Sequence, residues 1–392
     1  MKEHIIQSFQ QLYGRPPAIV VKAPGRVNLL GAHTDYNEGW VLPAAIEQAI
    51  WLAAAPLENG RVRIASLDYG HEGETTLAEL ARKTMSPSGP NRELDWLNYP
   101  AGVAWAMQEA GHQLVGLEAL FSGDIPVGAG VSSSAAVEVA FILAWETLSG
   151  LSLNGRERAK LGQQVENGYL GLQSGVMDQF ASLHGAANHL LMLDCRTLAY
   201  ELIPLPPEVV ILVADSGVRR QLAASDYNLR RDECREATNI LKQYLSNIRT
   251  LRDVDTQSFE LYAHRLPQVL RRRARHIVEE CARVLNGAEA LRQGQIGVFG
   301  KMIRESHTST RDLYEISTLE LDILAAAAWP VPGCYGARLV GGGFGGCVAV
   351  LAKESAASEI SQSMEEAFHK EFGRRPPIFL CRASTGAEVI EL

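Results

Sequence analysis

The sequence is short of the features that mark membrane, nucleic-acid-binding or metal-structured proteins. None of its apolar runs reaches the length of a bilayer span, so no membrane partner is expected. Cations are the minority charge, with 37 Lys and Arg against 45 Asp and Glu and a net charge of −8. A nucleic-acid-binding chain ordinarily shows a basic face, so no nucleic-acid partner is expected either. Cysteine is sparse. Cys195, Cys234, Cys281, Cys334, Cys347 and Cys381 stand apart without C-x-x-C spacing, which implies no zinc site and suits a reducing cytoplasm. The opening stretch MKEHIIQSFQQLYG turns polar at Glu3 and reads as an amphipathic helix ending near Gly14 rather than as a signal peptide. There is no tandem repeat, no low-complexity tail, and no G-x-G-x-x-G opening a Rossmann-type βαβ series. What remains is a soluble globular enzyme composition, 46% hydrophobic and 21% charged, on a chain of 392 residues with room for two domains.

Glycine is plentiful and is placed with purpose. Residues 126–139 read P-V-G-A-G-V-S-S-S-A-A-V-E-V. Gly128 and Gly130 alternate with Ala129 and Val131, and Ser132, Ser133 and Ser134 run into an apolar helical pattern. Glycines let a backbone approach a ligand closely, serines can cap the helix that follows, and the helix N-terminus offers unpaired N–H groups to an anion. The stretch is not a P-loop, because no Lys-Ser or Lys-Thr closes it. Taken alone it also reads as a flexible Gly/Ser turn, so its meaning depends on the rest of the chain.

Residues 18–22 form a β-rich run, followed by A-P-G-R-V-N-L-L-G-A-H-T-D-Y-N-E-G. Residues 36–39 suit a solvated turn. Arg26 and Asp35 bracket apolar residues and look instead like part of a small-molecule site. Strands are expected over 41–55, 61–68, 117–122, 190–194 and 209–214. Helices are expected over 94–111, 135–148, 156–170, 221–241, 266–291 and 297–313. Trp96 and Tyr99 read as core residues of the first of these helices, with a flat pocket as the minority alternative. Glu166 lies on the helix 156–170. Asp178, between Met177 and Phe180, reads as a helix cap or buried acceptor, or as a functional acid/base; buried, it must be paired. Arg271–Arg275 reads as a solvated helix face. Residues 338–351, R-L-V-G-G-G-F-G-G-C-V-A-V-L, place five glycines inside a β-rich run, where close passage of a backbone or ligand would justify them. With a linker at Pro204–Pro207 and a boundary near 183–205, the reading is two α+β domains, 1–190 and 191–392, with a cleft between them.

Three segments together carry a family resemblance: G-R-V-N-L-L-G-A-H-T-D-Y at 25–36, G-A-G-V-S-S-S-A-A at 128–136 and G-G-G-F-G-G-C at 341–347. Supporting stretches are V-E-N-G-Y-L-G at 165–171, G-V-M-D-Q-F at 175–180, S-D-Y-N-L-R-R-D-E-C at 225–234 and E-S-H-T-S-T-R-D-L-Y-E-I-S at 305–317. In this order the chain resembles the galactokinases of the GHMP kinase superfamily over nearly its whole length. The resemblance implies an α+β, two-domain GHMP kinase fold. The N-terminal domain would be ribosomal-protein-S5-like with a mixed sheet, and the C-terminal domain ferredoxin-like. It implies ATP- and Mg²⁺-dependent phosphorylation of the C1 hydroxyl of galactose by a cytoplasmic monomer or weak homo-oligomer. Asp178 matches the catalytic aspartate and Arg26 its cationic partner. His33, Asp35, Gly175 and Tyr227 match sugar-binding positions. Residues 128–134 match the phosphate loop, Ser134 and Glu166 the Mg²⁺ ligands, and Trp96 and Tyr99 residues near the adenine.

One position departs from the pattern. Galactokinases carry glutamate where this chain has Ala32, and that carboxylate receives the sugar's C6 hydroxyl. Its loss removes a charge-assisted hydrogen bond, about 1.5–3 kcal/mol. The same loss would relieve repulsion of a C6 carboxylate, and galacturonate kinases share the alanine. A cation to receive such a carboxylate is not evident in the sequence. Galactose ranks first, galacturonate second, and a sugar lacking the C6 hydroxyl third. A non-catalytic sugar and ATP sensor is the rival of a different class, disfavoured by the intact Ser133-Ser134-Ala135, Asp178 and Arg26.

Overall fold

Two principal β-sheets and the helices that cover them make up the protein. The computed structural model describes residues 1–83, 92–126, 130–219 and 223–392. Part of the expected helix 221–241 and residues Gly128 and Ala129 of the glycine-serine loop lie outside the described residues. The first sheet has six strands in the order Glu388–Glu391, Ile19–Asn28, Pro43–Leu57, Gly116–Gly123, Arg61–Ser66 and His71–Thr76. It is mixed, because Arg61–Ser66 runs parallel to Gly116–Gly123 while its other pairings are antiparallel. Its long strand Pro43–Leu57 is apolar almost without interruption because both faces are covered. Ile5 and Phe9 of the helix Lys2–Tyr13 pack beneath Ala53 and Ala55, and the helix Ser133–Leu148 covers the other face. The helix Ser133–Leu148 is itself buried nearly all round, with Trp145 fully enclosed.

The second sheet is antiparallel, four strands in the order Cys334–Val340, Cys347–Lys353, Val209–Asp215 and Ile378–Cys381. The long helices Gln268–Arg292 and Ile296–Asp312 pack with it. A third sheet joins Trp40–Val41 to the hairpin His189–Asp194 and Tyr200–Pro204, so the stretch expected to be linker is partly strand. The last strand of the chain returns to the first sheet, pairing Ile19 with Glu391 and Lys22 with Glu388.

Several expectations need correction. The strand expected at 18–22 extends to Asn28, so Arg26 and Asn28 sit on the sheet itself; a register shift between Pro24 and Arg26 bends it there. The helix expected over 156–170 ends at Gln164 and widens into a π-turn over Val165–Leu170 that carries Glu166. The glycines of 341–346 are not inside a strand. They form the connection between Cys334–Val340 and Cys347–Lys353, with positive φ at Gly341, Gly343, Phe344, Gly345 and Gly346. The run Arg271–Arg275 is not wholly solvated: Arg273 is buried, paired with Glu233 at 3.0 Å and Glu315 at 2.6 Å.

Candidate active site

Arg26 and Asp178 come from opposite ends of the first half of the chain and meet at one point. The bend at Pro24–Arg26 aims the guanidinium across to the first turn of the helix Met177–His184. Its Nε donates to Asp178 Oδ1 at 2.8 Å and its Nη2 to Oδ2 at 2.7 Å, a bidentate pair. Its Nη1 donates to the Gly130 carbonyl at 2.7 Å, and its backbone N–H to Val131 O at 3.0 Å, which fastens the start of the serine-rich turn to the same arginine. Ser132 occupies the N-cap position of Ser133–Leu148 with φ 60°, but its side chain does not cap the helix. Its hydroxyl donates to Asp178 instead. The capping expected of this serine is therefore absent, because the hydroxyl is spent on the carboxylate. Asp178 likewise is neither cap nor isolated acceptor.

The two glycine-rich segments touch backbone to backbone. A Cβ on Gly341 would stand 2.9 Å from Gly130 Cα, and one on Gly130 would stand 2.9 Å from Val340 O. The absence of side chains at both positions lets the second sheet close over the first at the reaction point.

On one side of the Arg26–Asp178 pair lies a cavity of about 270 Å³. Ala32, His33, Asp35, Gly175 and Tyr227 all line it, and so does Glu166. Gly175 has to be glycine, because a Cβ there would collide with the Asp35 carboxylate. Burial, and next the nearby Asp178 charge, push Asp35 up to about 6. His33 has φ 58° and is held neutral, lowered to about 3 chiefly by burial. Its Nε2 lies 3.1 Å from Gly342 O, an acceptor, so Nε2 carries the proton. Its Nδ1 then accepts from Tyr36 Oη at 2.8 Å, which in turn faces Tyr314 Oη at 2.7 Å.

The turn that carries these residues hangs from one helix of the other half. Glu280, fully buried on Gln268–Arg292, accepts from the backbone N–H of Gly31 at 2.9 Å and of Ala32 at 3.1 Å. His276, one turn earlier, holds the Ala32 carbonyl through Nε2 at 3.1 Å and accepts from Ser309 Oγ at 2.8 Å. Burial lowers His276 to about 4, so it is neutral and this tautomer is the one that fits. Arg283 and Arg338 hold the Glu280 carboxyl far below the usual range against its burial. Sequence reading missed this clamp. Its one signal was a His and a Glu four residues apart, His276 and Glu280, on one side of the helix.

On the other side of Asp178 an open groove of about 1380 Å³ runs past Ser132, Ser133 and Ser134 to Trp96 and Tyr99. Trp96 is buried, and its Nε1 has no partner among the described residues. It stacks at 6.0 Å and 6° on Tyr69, an exposed residue just past the strand expected over 61–68 that sequence reading did not single out. Burial pushes Tyr99 up to about 12. The groove and the cavity share Arg26, Leu172, Asp178, Gly341 and Gly342.

Glu166 and Ser134 offer hard oxygens of the kind Mg²⁺ takes. Glu166 is buried and pushed up to about 7 by burial and next by Asp178, a carboxylate short of counter-charge that a divalent cation would supply. Ser174 Oγ donates to its Oε2. No group of three or more His, Cys, Asp or Glu stands ready to hold a metal among the described residues, so such an ion would draw further ligands from phosphate oxygens.

A small cavity edged by charged and polar side chains and a larger groove carrying Trp96 and Tyr99, meeting at an Arg–Asp pair beside a glycine-serine turn, define a small-molecule kinase of the GHMP type. The GHMP kinase N-terminal and C-terminal domain models match residues 98–186 and 288–370, and the galactokinase galactose-binding signature matches residues 7–56. The chain is 44% identical to the galactokinase of Roseiflexus sp. (strain RS-1) over 97% of this chain and 95% of that one. It is 39% identical to the galactokinase of Chloroflexus aurantiacus over 98% and 96%. The crystal structure of Lactococcus lactis galactokinase complexed with galactose superposes with a TM-score of 0.93 at 31% identity, covering 99% of each chain. A mevalonate kinase shares the fold, with a TM-score of 0.61 at 19% identity. The chain belongs to the galactokinase family.

Proposed function

We propose that the protein transfers the γ-phosphoryl group of ATP to the anomeric C1 hydroxyl of galactose, giving galactose 1-phosphate and ADP. The observation that carries this reading is the bidentate Arg26–Asp178 pair at the junction of a sugar-sized cavity and a nucleotide-sized groove. The sugar sits in the cavity with its C1 hydroxyl toward Asp178. Arg26 fixes the plane of the carboxylate, which orients the hydroxyl and takes its proton as the new O–P bond forms and the bond to ADP breaks. The N-terminus of Ser133–Leu148 and the backbone of residues 130–134 face the phosphates, and Trp96 and Tyr99 the base. Ser134 and Glu166 would hold Mg²⁺, which would supply neutralisation of phosphate charge. Residues 1–190 and 191–392 form the two domains, with the terminal strand Glu388–Glu391 lent back to the first. The protein works in the cytoplasm as a monomer or weak homo-oligomer. Among the described residues no helix is long and apolar enough to cross a membrane.

Galacturonate is the second reading of Ala32. Arg338 is a cation on the cavity wall that the sequence did not reveal. Its Nη1 lies 3.3 Å from Glu280 Oε1, so that wall carries a compensated pair rather than a free positive charge. This favours a hydroxyl over a carboxylate at the sugar end. The test is ADP release with galactose as acceptor and identification of the product by ³¹P NMR. Galactose 1-phosphate is expected. Sugar binding without ADP release would make the protein a sensor, and phosphate on any other oxygen would contradict the assignment of Asp178.

A further inference from the structure

Asp178 is held unevenly. Its Oδ2 accepts from Arg26 Nη2 at 2.7 Å and from the Ser132 hydroxyl, whereas among the described residues its Oδ1 accepts only from Arg26 Nε, at 2.8 Å. A carboxylate oxygen has about two lone-pair sites, so Oδ2 is filled and Oδ1 keeps one open. The Asp178 side chain is 25% exposed and borders both the sugar cavity and the groove. Ser132 reaches it from the groove side with a φ of 60°. That conformation is uncommon for a residue with a side chain, and strain of this kind persists where the surroundings enforce it and clusters at active sites. The bonds from Arg26 to Gly130 O at 2.7 Å and to Val131 O at 3.0 Å hold the backbone just before it. A serine in this place ordinarily turns its oxygen to the first N–H groups of the helix. This one does not, and so leaves them to an anion.

We infer that Ser132 is a positioning residue that acts through Asp178 rather than on the nucleotide: its hydroxyl fills Oδ2 and leaves Oδ1 as the oxygen that takes the C1 hydroxyl proton. The inference rests on the kinase reading and deepens it by naming the reacting oxygen. The proton passes to Oδ1 as the C1 oxygen bonds to phosphorus and the bond to ADP breaks. Arg26 bonds both carboxylate oxygens and so does not tell them apart. Without the serine both keep an open site, and part of the bound sugar pairs with the wrong one.

The test is a double-mutant cycle. Glycine is unstrained at φ 60°, so Ser132→Gly removes the hydroxyl and lets the backbone keep its conformation. Ser132→Ala is the second variant. Each is made alone and together with Asp178→Asn, and the rate of phosphoryl transfer is read in single turnovers. Alone, each should lower the rate about tenfold, as for the loss of one charge-assisted hydrogen bond, with KM for ATP unchanged. Combined with Asp178→Asn, neither should lower it further, because the group it acts through is gone. An equal loss in both backgrounds, a rise in KM for ATP, or no loss at all would overturn the inference. A crystal structure of the unaltered protein with galactose gives an answer that does not depend on the variants. The C1 hydroxyl oxygen is expected within about 3.2 Å of Oδ1, and the same oxygen on Oδ2 would overturn the inference. Losses that add would sink the role of Ser132 and leave the kinase reading standing, whereas no ADP release by the unaltered protein with galactose would sink both.

Discussion

Arg26 and Asp178 lie 152 residues apart in the chain and are joined by two parallel hydrogen bonds of 2.8 and 2.7 Å. The arginine is nearly fully buried, and it also holds the carbonyl of Gly130, so one guanidinium ties together the strand, the acid and the serine-rich turn. Asp178→Asn keeps the shape and removes the proton acceptor. It should lower kcat by two or more orders of magnitude, on the scale of about 10²–10⁴ for acid–base groups, and lower thermal stability too, because the buried Arg26 loses its counter-charge. Arg26→Ala should lower kcat comparably and lower stability as well, because it leaves Asp178 without its partner. Steady-state kinetics with thermal melts check both, and near-normal turnover in Asp178→Asn would contradict its role.

Position 32 tests the sugar end. The backbone of Ala32 is held at both N–H and carbonyl by Glu280 and His276, so a new side chain there should not move the turn. Ala32→Glu adds a charged acceptor in the cavity. It should raise kcat/KM for galactose relative to galacturonate by tenfold or more, as expected for a charge-assisted bond and repulsion of a carboxylate. Paired kinetics on the two sugars measure the ratio, and an unchanged ratio would remove position 32 from specificity.

The clamp itself has a stability consequence. Glu280 is wholly buried and compensates Arg338, which is also buried. Glu280→Ala leaves that guanidinium unpaired and should cost about 3–5 kcal/mol. Glu280→Gln keeps part of the hydrogen bonding and should fall between the two, with its KM for galactose rising more than its kcat falls. Denaturant titrations and sugar kinetics on both variants check the order.

Glu166 gives a pH signature. Its folded value of about 7 lies above the 4.5 of an unperturbed glutamate, so the folded state binds this proton more tightly than the unfolded one. Its contribution to stability is neutral below about pH 4.5, becomes increasingly unfavourable up to about pH 7, and levels off above. Glu166→Gln, which has no charge to bury, should therefore melt higher than the unaltered protein at pH 8 and alike at pH 4.5, both without nucleotide. Mg²⁺-nucleotide should stabilise the unaltered protein more than the variant. Melting curves at the two pH values decide, and a difference independent of pH would contradict the buried, uncompensated carboxylate.

Much of this site was legible in the sequence because its motifs are local. Gly130, Ser132 and Asp178 each sit in a short pattern that a family resemblance can match without knowing the fold, although read alone the first two pass for a flexible turn and Asp178 for a cap or structural acceptor. The elements that sequence reading missed depend on distance. Glu280 looked like one acid on a charged helix until the fold set it under Gly31 and Ala32. Arg273 looked solvated because a run of arginines usually is, and burial with Glu233 and Glu315 overrode that default. The serines of 132–134 were read together as possible caps, but at Ser132 the backbone is left-handed and the hydroxyl goes to Asp178. The glycines of 341–346 were read as strand interior because apolar residues flank them, and the positive φ values that make them a turn leave no mark in hydropathy.

The most direct measurement is a crystal structure of the protein with galactose and a non-hydrolysable ATP analogue. The account predicts the C1 hydroxyl within about 3 Å of an Asp178 carboxylate oxygen, in line with the terminal phosphate lying over residues 130–134. A sugar bound with C1 turned away from Asp178, or a triphosphate remote from the serine-rich turn, would contradict it.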